Sequence, residues 1–211
     1  MNAMSFENDI VIVSGLPRSG TSMMMRMLEA GGVTPLTDAA RAADPDNPRG
    51  YYEYEPVKRL DEDSAWMALA VGKALKVVSF LLEHLPGEYH YSVIFMERAV
   101  EEVLASQRAM LLRRVAEGKL SATAADHEQL NEEDARLKQC YVKHLRKVSQ
   151  WLAAQPNIRT LFVAHRTTLQ APGATVHEIV HFLDKDLNMD AMKKAVEPQL
   201  YRQRAHPQKQ D

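Results

Sequence analysis

Cys140 is the only cysteine of the chain. A lone thiol excludes an intrachain disulfide framework and a cysteine-based metal site. No apolar run reaches the roughly 18 residues that a membrane-spanning helix needs, and no basic-then-apolar leader opens the chain. A cytoplasmic protein without a membrane span is therefore expected. Charge of one sign is also missing: 26 Lys and Arg stand against 28 Asp and Glu, a net charge of -2. Such a balance makes no case for a nucleic-acid partner, and any anion site must draw on local positive charge. The histidines are scattered. His177 and His181 share a helical spacing but lack a further ligand, so they read as an ordinary helix face, and no metal is expected. There is no internal repeat and no low-complexity stretch. Length and composition, 45% hydrophobic and 26% charged, suit a single domain over 1–211, with 200–211 a loose tail rich in Gln, Arg, His and Lys.

What the chain does have is concentrated in residues 10–22, I-V-I-V-S-G-L-P-R-S-G-T-S. An apolar β-branched run leads into a Gly/Pro/Ser loop and then a helix that opens on hydroxyls. This is a strand–loop–helix phosphate cradle, in which loop amides and the positive end of the helix dipole converge on an anion. Gly15 and Gly20 keep the spacing of a Walker A loop, but Thr21 stands where that loop has its lysine. The only cation inside the loop is Arg18. The cradle thus suits a nucleotide that is not a triphosphate. A P-loop kinase or NTPase would also need a strand ending in Asp to hold Mg²⁺. Only Glu97 approaches that, with Arg98 beside it.

Four apolar segments read as strands: Asp9–Ser14, Ala74–Ser79, Tyr91–Met96 and Arg159–Ala164. Helices separate them. The first, Thr21–Ala30, ends at Gly31-Gly32, and its Met23, Met24, Met25 and Met27 are mostly core residues. Pro56–Leu69 looks helical with an acidic start. The polar stretch 99–154 is helical with a break near Gly118–Thr123, and Asn131 is the expected N-cap of the helix that reaches Trp151. The expected fold is α/β: a three-layer, P-loop-type arrangement with a central parallel sheet of about four to five strands flanked by helices. Sheets of this kind bind ligands at the carboxyl ends of their strands, where the loop, Arg98 and His165 all fall.

The segment L-P-R-S-G-T-S resembles the 5′-phosphosulfate-binding loop of sulfotransferases that use 3′-phosphoadenosine-5′-phosphosulfate (PAPS). A further segment, S-V-I-F-M-E-R-A-V-E-E-V-L-A-S at 92–106, resembles their 3′-phosphate motif, an Arg at a strand end followed eight residues later by a Ser. Arg98, Glu102 and Ser106 match, while Ala99-Val100 replaces the usual Asn/Asp-Pro. In the loop 44–56, Asn47, Pro48, Gly50, Tyr51 and Glu53 match the N-P-x-G-Y-x-E segment of bacterial sulfotransferase-like proteins. The stretch 161–204 is similar to the end of such chains, with His165 where the family often has an adenine-contacting Tyr. There, Asp184 replaces a Gly, and Arg202 or Arg204 offers a further phosphate contact. No G-x-x-G-D-W-K element is present, and Lys76-Val77-Val78 keeps the Lys but lacks the His of the K-[ST]-H element.

The resemblance implies a sulfotransferase that moves a sulfonate from PAPS to a hydroxyl or amine of an unidentified acceptor, leaving 3′-phosphoadenosine-5′-phosphate, without a metal. Pro17, Arg18, Ser19, Gly20, Thr21 and Ser22 would hold the 5′-phosphosulfate, with Arg18 also stabilising the leaving phosphate. Arg98 and Ser106 would hold the 3′-phosphate, and His165 the adenine. Glu53 ranks first as general base, followed by His84 and Glu83. Taken singly, Arg98 equally suits a surface ion pair, Glu53 a solvated acidic loop, and His165 a strand end satisfied by backbone. A non-catalytic nucleotide-binding protein of the same fold remains the alternative beside the P-loop kinase.

Overall fold

The structure is a computed structural model that describes residues 8–38, 50–118 and 127–197. Asn47, Pro48, Arg202 and Arg204 lie outside the described residues. Four parallel strands form the sheet in the order β2-β1-β3-β4. They are β1 (Ile10–Gly15), β2 (Ala74–Lys76), β3 (Tyr91–Glu97) and β4 (Ile158–Ala164). β1 pairs with β2 on one side and β3 on the other, so the strand order reverses at β1. The crevice at the carboxyl end of such a switch point is where open α/β sheets bind ligands.

The strand periodicity of two divides the core. Val11, Val13, Ile94, Met96 and Val163 face a cluster with α1 (Thr21–Gly31), α5 (Pro172–Leu183) and α6 (Met189–Lys194). Ile10, Ile12, Val93, Phe95 and Leu75 face the opposite layer, which includes Val148 and Leu152 of α3 (His127–Ala154). Every residue of β1 is buried, as expected of a central strand covered on both faces. The expected three-layer α/β architecture is present. Met24, Met25 and Met27 are core residues, and Gly32 ends α1 in the left-handed conformation.

Three local expectations differ. Pro56–Leu69 is not one helix but two 3-10 turns, Glu55–Arg59 and Ala65–Ala70. The acidic run between them breaks the helix, because the Asp63 side chain accepts a hydrogen bond from a nearby backbone amide, Ala65 N, at 2.9 Å. The strand expected to reach Ser79 ends at Lys76, opposite Val13 of β1, and Ser79 instead opens a 3-10 turn to His84. Asn131 is no N-cap, since α3 begins at His127 and runs through it. α2 (Val100–Ala116) ends just before Gly118, and the rest of the expected break, 119–123, lies outside the described residues. Asp184 takes the left-handed position that ends α5, with φ of 53°, a conformation that Asp tolerates better than most side chains. No helix among the described residues is long and apolar enough to cross a membrane.

At the amino end of the sheet, Asp9 is fully buried and accepts from Ser92. Arg159 and Lys185 stand 3.4 Å and 3.3 Å from its carboxylate. This charge cluster ties β1, β3 and β4 together at the end remote from the loop after β1.

Candidate functional site

The loop after β1 is fixed by two glycines that no other residue can replace without displacement. Gly15 has φ of +146°, and a Cβ there would stand 2.5 Å from Ser19 Oγ and 2.7 Å from the Met96 carbonyl. Gly20, the N-cap of α1, has φ of +101°, and a Cβ there would meet His165 Cδ2 at 2.5 Å. Between them Arg18 adopts a left-handed backbone, φ 71°. Such a conformation persists when the surroundings over-determine it, and here Arg98 Nη1 donates to the Arg18 carbonyl at 2.9 Å. α1 has no acidic residue in its first turn, so its positive end is not neutralised from within the helix.

The loop is joined to α2 by a chain of hydrogen bonds. Arg98, just past the end of β3, donates to the Arg18 carbonyl, and Arg18 Nε donates to Ser106 Oγ at 3.0 Å. Arg98 Nε also pairs with Glu102 at 3.0 Å, both side chains being less than a tenth exposed. Arg98 therefore makes a buried ion pair rather than a surface one. His165, the first residue of α4 (His165–Gln170), is 7% exposed and packs against Gly20. Burial, reinforced by the Arg98 guanidinium and opposed by Glu102, lowers its pKa to about 4. The imidazole is thus neutral at neutral pH.

Across the loop stands a second group. Lys76, the last residue of β2, donates to the Tyr51 carbonyl. Ser22 Oγ donates to the same carbonyl at 3.3 Å. Glu53 lies 3.9 Å from the Lys76 ammonium, and its own carbonyl accepts from Thr37 Oγ1 at 2.8 Å. Glu53 is therefore paired with a cation as well as set among aromatics.

These groups border one cleft of about 800 Å³. Pro17, Arg18, Gly20, Thr21 and Ser22 line it from the loop, and Arg98, Ser106, His165 and Glu53 from the other elements. Ser19 does not line it; its hydroxyl is buried under the loop without a hydrogen-bond partner among the described residues. His84 does not line it either. The 3-10 turn after Val78 carries it to an exposed position, where neighbouring Glu83 pairs with Lys147 of α3 at 2.8 Å. That hydrogen bond holds the Glu83 carboxyl below its usual range. Two further cations, Lys76 and Arg26, line the cleft beyond the residues expected to bind or react there. Lys76 is the surviving half of the K-[ST]-H element, which is the one signal that points to it. Arg26, one helical turn beyond Ser22, lines the cleft and donates to the Ala195 carbonyl at 3.0 Å.

The fold has solved relatives. A sulfotransferase from Mycobacterium avium superposes with a TM-score of 0.55 at 13% identity, covering 91% of this chain and 67% of its own. The fold is sulfotransferase-like. A sulfotransferase domain from a Synechococcus olefin synthase covers 95% of this chain and 89% of its own, with a TM-score of 0.55 at 12% identity. A sulfotransferase domain from the curacin biosynthetic pathway covers 92% and 79%, with a TM-score of 0.51 at 12% identity. No family model and no curated protein sequence matches the chain. Within this sulfotransferase-like fold the loop after β1 and the end of β3 lie side by side, joined by the bond from Arg98 to the Arg18 carbonyl, and both border the cleft.

Proposed function

We propose that the protein is a PAPS-dependent sulfotransferase acting on a hydroxyl or amine of a small acceptor. The observation that carries this reading is the Arg98–Arg18–Ser106 chain of hydrogen bonds. It joins the loop after β1 to the end of β3 and to α2, which supports a reading with two neighbouring anion loci, as a nucleotide phosphorylated at two positions requires. One locus is the helix-capping loop with Thr21, Ser22 and Lys76; the other is Arg98 with Ser106. Two cationic loci of this make-up suit two separate phosphates better than one triphosphate.

When bound, PAPS supplies a sulfonate whose sulfur–oxygen bond to the 5′-phosphate breaks as the acceptor oxygen or nitrogen bonds to sulfur, the leaving electron pair staying on the phosphate. The protein's contribution is position and charge. Arg18, Thr21, Ser22 and the loop amides would hold the 5′-phosphate and its developing charge. Lys76 would neutralise the sulfonate oxygens. Arg98 and Ser106 would hold the 3′-phosphate, and neutral His165 would offer the base a flat, uncharged face. Glu53, beside Lys76, would take the acceptor proton; a positioned base of this kind contributes about 10²–10⁴-fold in rate. His84 lies outside the cleft and has no role in this scheme.

Calorimetric titration with 3′-phosphoadenosine-5′-phosphate, with ATP and AMP as controls, tests the reading. Binding of the bisphosphate that exceeds both controls and is lost in Arg98→Ala supports it. Preference for ATP, or indifference to the substitution, overturns it.

A further inference from the structure

A second cavity, of about 390 Å³, lies on the α3 side of the sheet, behind the loop after β1. The carboxyl ends of β3 and β4, the start of α2 and the Leu145–Ser149 face of α3 bound it. Its size falls within the range of small-molecule sites. It shares Leu16 and Arg98 with the main cleft, but none of Thr21, Ser22, Glu53 or Lys76. Leu16, Phe95, Met96, Leu145 and Phe162 give it apolar walls. Phe95 and Phe162 tilt against one another with ring centroids 5.5 Å apart. Phe162, on the edge strand β4, is nevertheless 40% exposed. A further aromatic ring laid on it would bury apolar surface and add ring-to-ring contact.

The polar groups of this cavity are few and specific. The buried Ser19 hydroxyl, without a partner among the described residues, lines this cavity and not the main cleft. Two exposed charges of opposite sign border it, Glu97 at the end of β3 and Arg166 at the start of α4. Glu97 stands in register with Ala164, the last residue of β4, and Arg166 follows two positions later. The two charges are therefore carried on the tips of adjacent strands, whose axes lie about 4.8 Å apart. Among the described residues neither side chain enters an ion pair or a hydrogen bond.

The geometry points to a second small-molecule site, one for a zwitterion with an aromatic side chain: the ring against Phe162, the ammonium on Glu97 and the carboxylate on Arg166. A free aromatic amino acid has this make-up. Its two charges sit on one carbon, which matches charges presented by neighbouring strand tips. A guanidinium takes a carboxylate through a planar pair of donors. Glu97 repels an acid that lacks the amino group, and Arg166 repels an amine that lacks the carboxylate, so the mouth selects for the pair of charges. The site stands apart from the reaction proposed above, and binding there does not require the nucleotide.

Calorimetric titration of the full chain with L-phenylalanine, 3-phenylpropionate, phenethylamine and glycine tests it. The amino acid is expected to bind at least about tenfold more tightly than each of the other three. Glu97→Gln should reduce the preference over 3-phenylpropionate to below about twofold, and Arg166→Gln should do the same for the preference over phenethylamine. Both residues are exposed, so the variants should unfold at the midpoint of the parent, and neither lines the main cleft. Loss of preference in them therefore locates the ligand in the second cavity. No binding of L-phenylalanine, an analogue that binds as tightly, or a preference that survives either substitution overturns the inference.

Discussion

Arg18 on the phosphate loop donates its Nε to Ser106 Oγ of α2 at 3.0 Å, a contact between residues 88 positions apart in the chain. The bond ties the loop after β1 to α2, and under the proposed function it would set the spacing of the two phosphate sites before a ligand arrives. Preorganisation of this kind lowers the ordering cost of binding.

The partner of Arg98 separates a binding effect from a folding effect. Arg98→Ala leaves Glu102 buried opposite an empty position, and breaking a buried ion pair this way destabilises by about 3–5 kcal/mol. Arg98→Ala combined with Glu102→Gln should recover much of that stability but none of the bisphosphate affinity. Thermal unfolding and calorimetry on the single and double variants check both halves.

The two loop glycines should differ in how they can be rescued. Gly20→Ala meets the edge of the His165 ring, whereas Gly15→Ala meets the Met96 backbone carbonyl. Both also strain a positive φ, and each should cost about 2 kcal/mol or more. Adding His165→Ala should relieve part of the Gly20→Ala defect and none of the Gly15→Ala defect, read as shifts in denaturation midpoint.

Glu53→Gln should lower the transfer rate by about 10²–10⁴-fold while bisphosphate affinity changes by less than about twofold. His84→Ala should leave both unchanged, because the residue is exposed and outside the cleft. A rate in Glu53→Gln close to that of the parent would remove Glu53 as the base.

Stability should fall with acid through His165. Its folded pKa is about 4 against an ordinary 6.5. Below pH 6.5 the unfolded chain binds a proton that the folded one refuses. The contribution is therefore complete above pH 6.5, declines as pH falls to about 4, and levels off below. Its size, from the shift, is up to about 3 kcal/mol. Denaturant unfolding between pH 4 and 7 should show this slope, and His165→Gln should flatten it.

Much of the architecture is legible in the sequence because its cues are local. The β-branched runs of β1 and β3, the glycines at 15, 20 and 32, and the parallel α/β alternation all follow from residue types within a few positions. The same holds for the loop residues that line the cleft. What is not legible depends on contacts between distant segments. The break at 60–64 depends on which backbone amide the Asp63 side chain captures. The displacement of His84 follows from β2 stopping after three residues and giving way to a 3-10 turn at Ser79, which no residue type in 74–79 announces. The role of Glu102 is likewise hidden: a carboxylate in the first turn of a helix reads as a dipole partner, yet here it is the buried counter-ion of Arg98.

The Tyr51 carbonyl accepts from both Ser22 and Lys76. An acceptor brought to that point would meet donors already turned toward peptide oxygen, so its association would gain there against that carbonyl as well as against water. Its enthalpy would then be small for so polar a site. The carbonyl is held in place by its backbone as well, since Gly50 and Tyr52 on either side of Tyr51 both take the left-handed conformation.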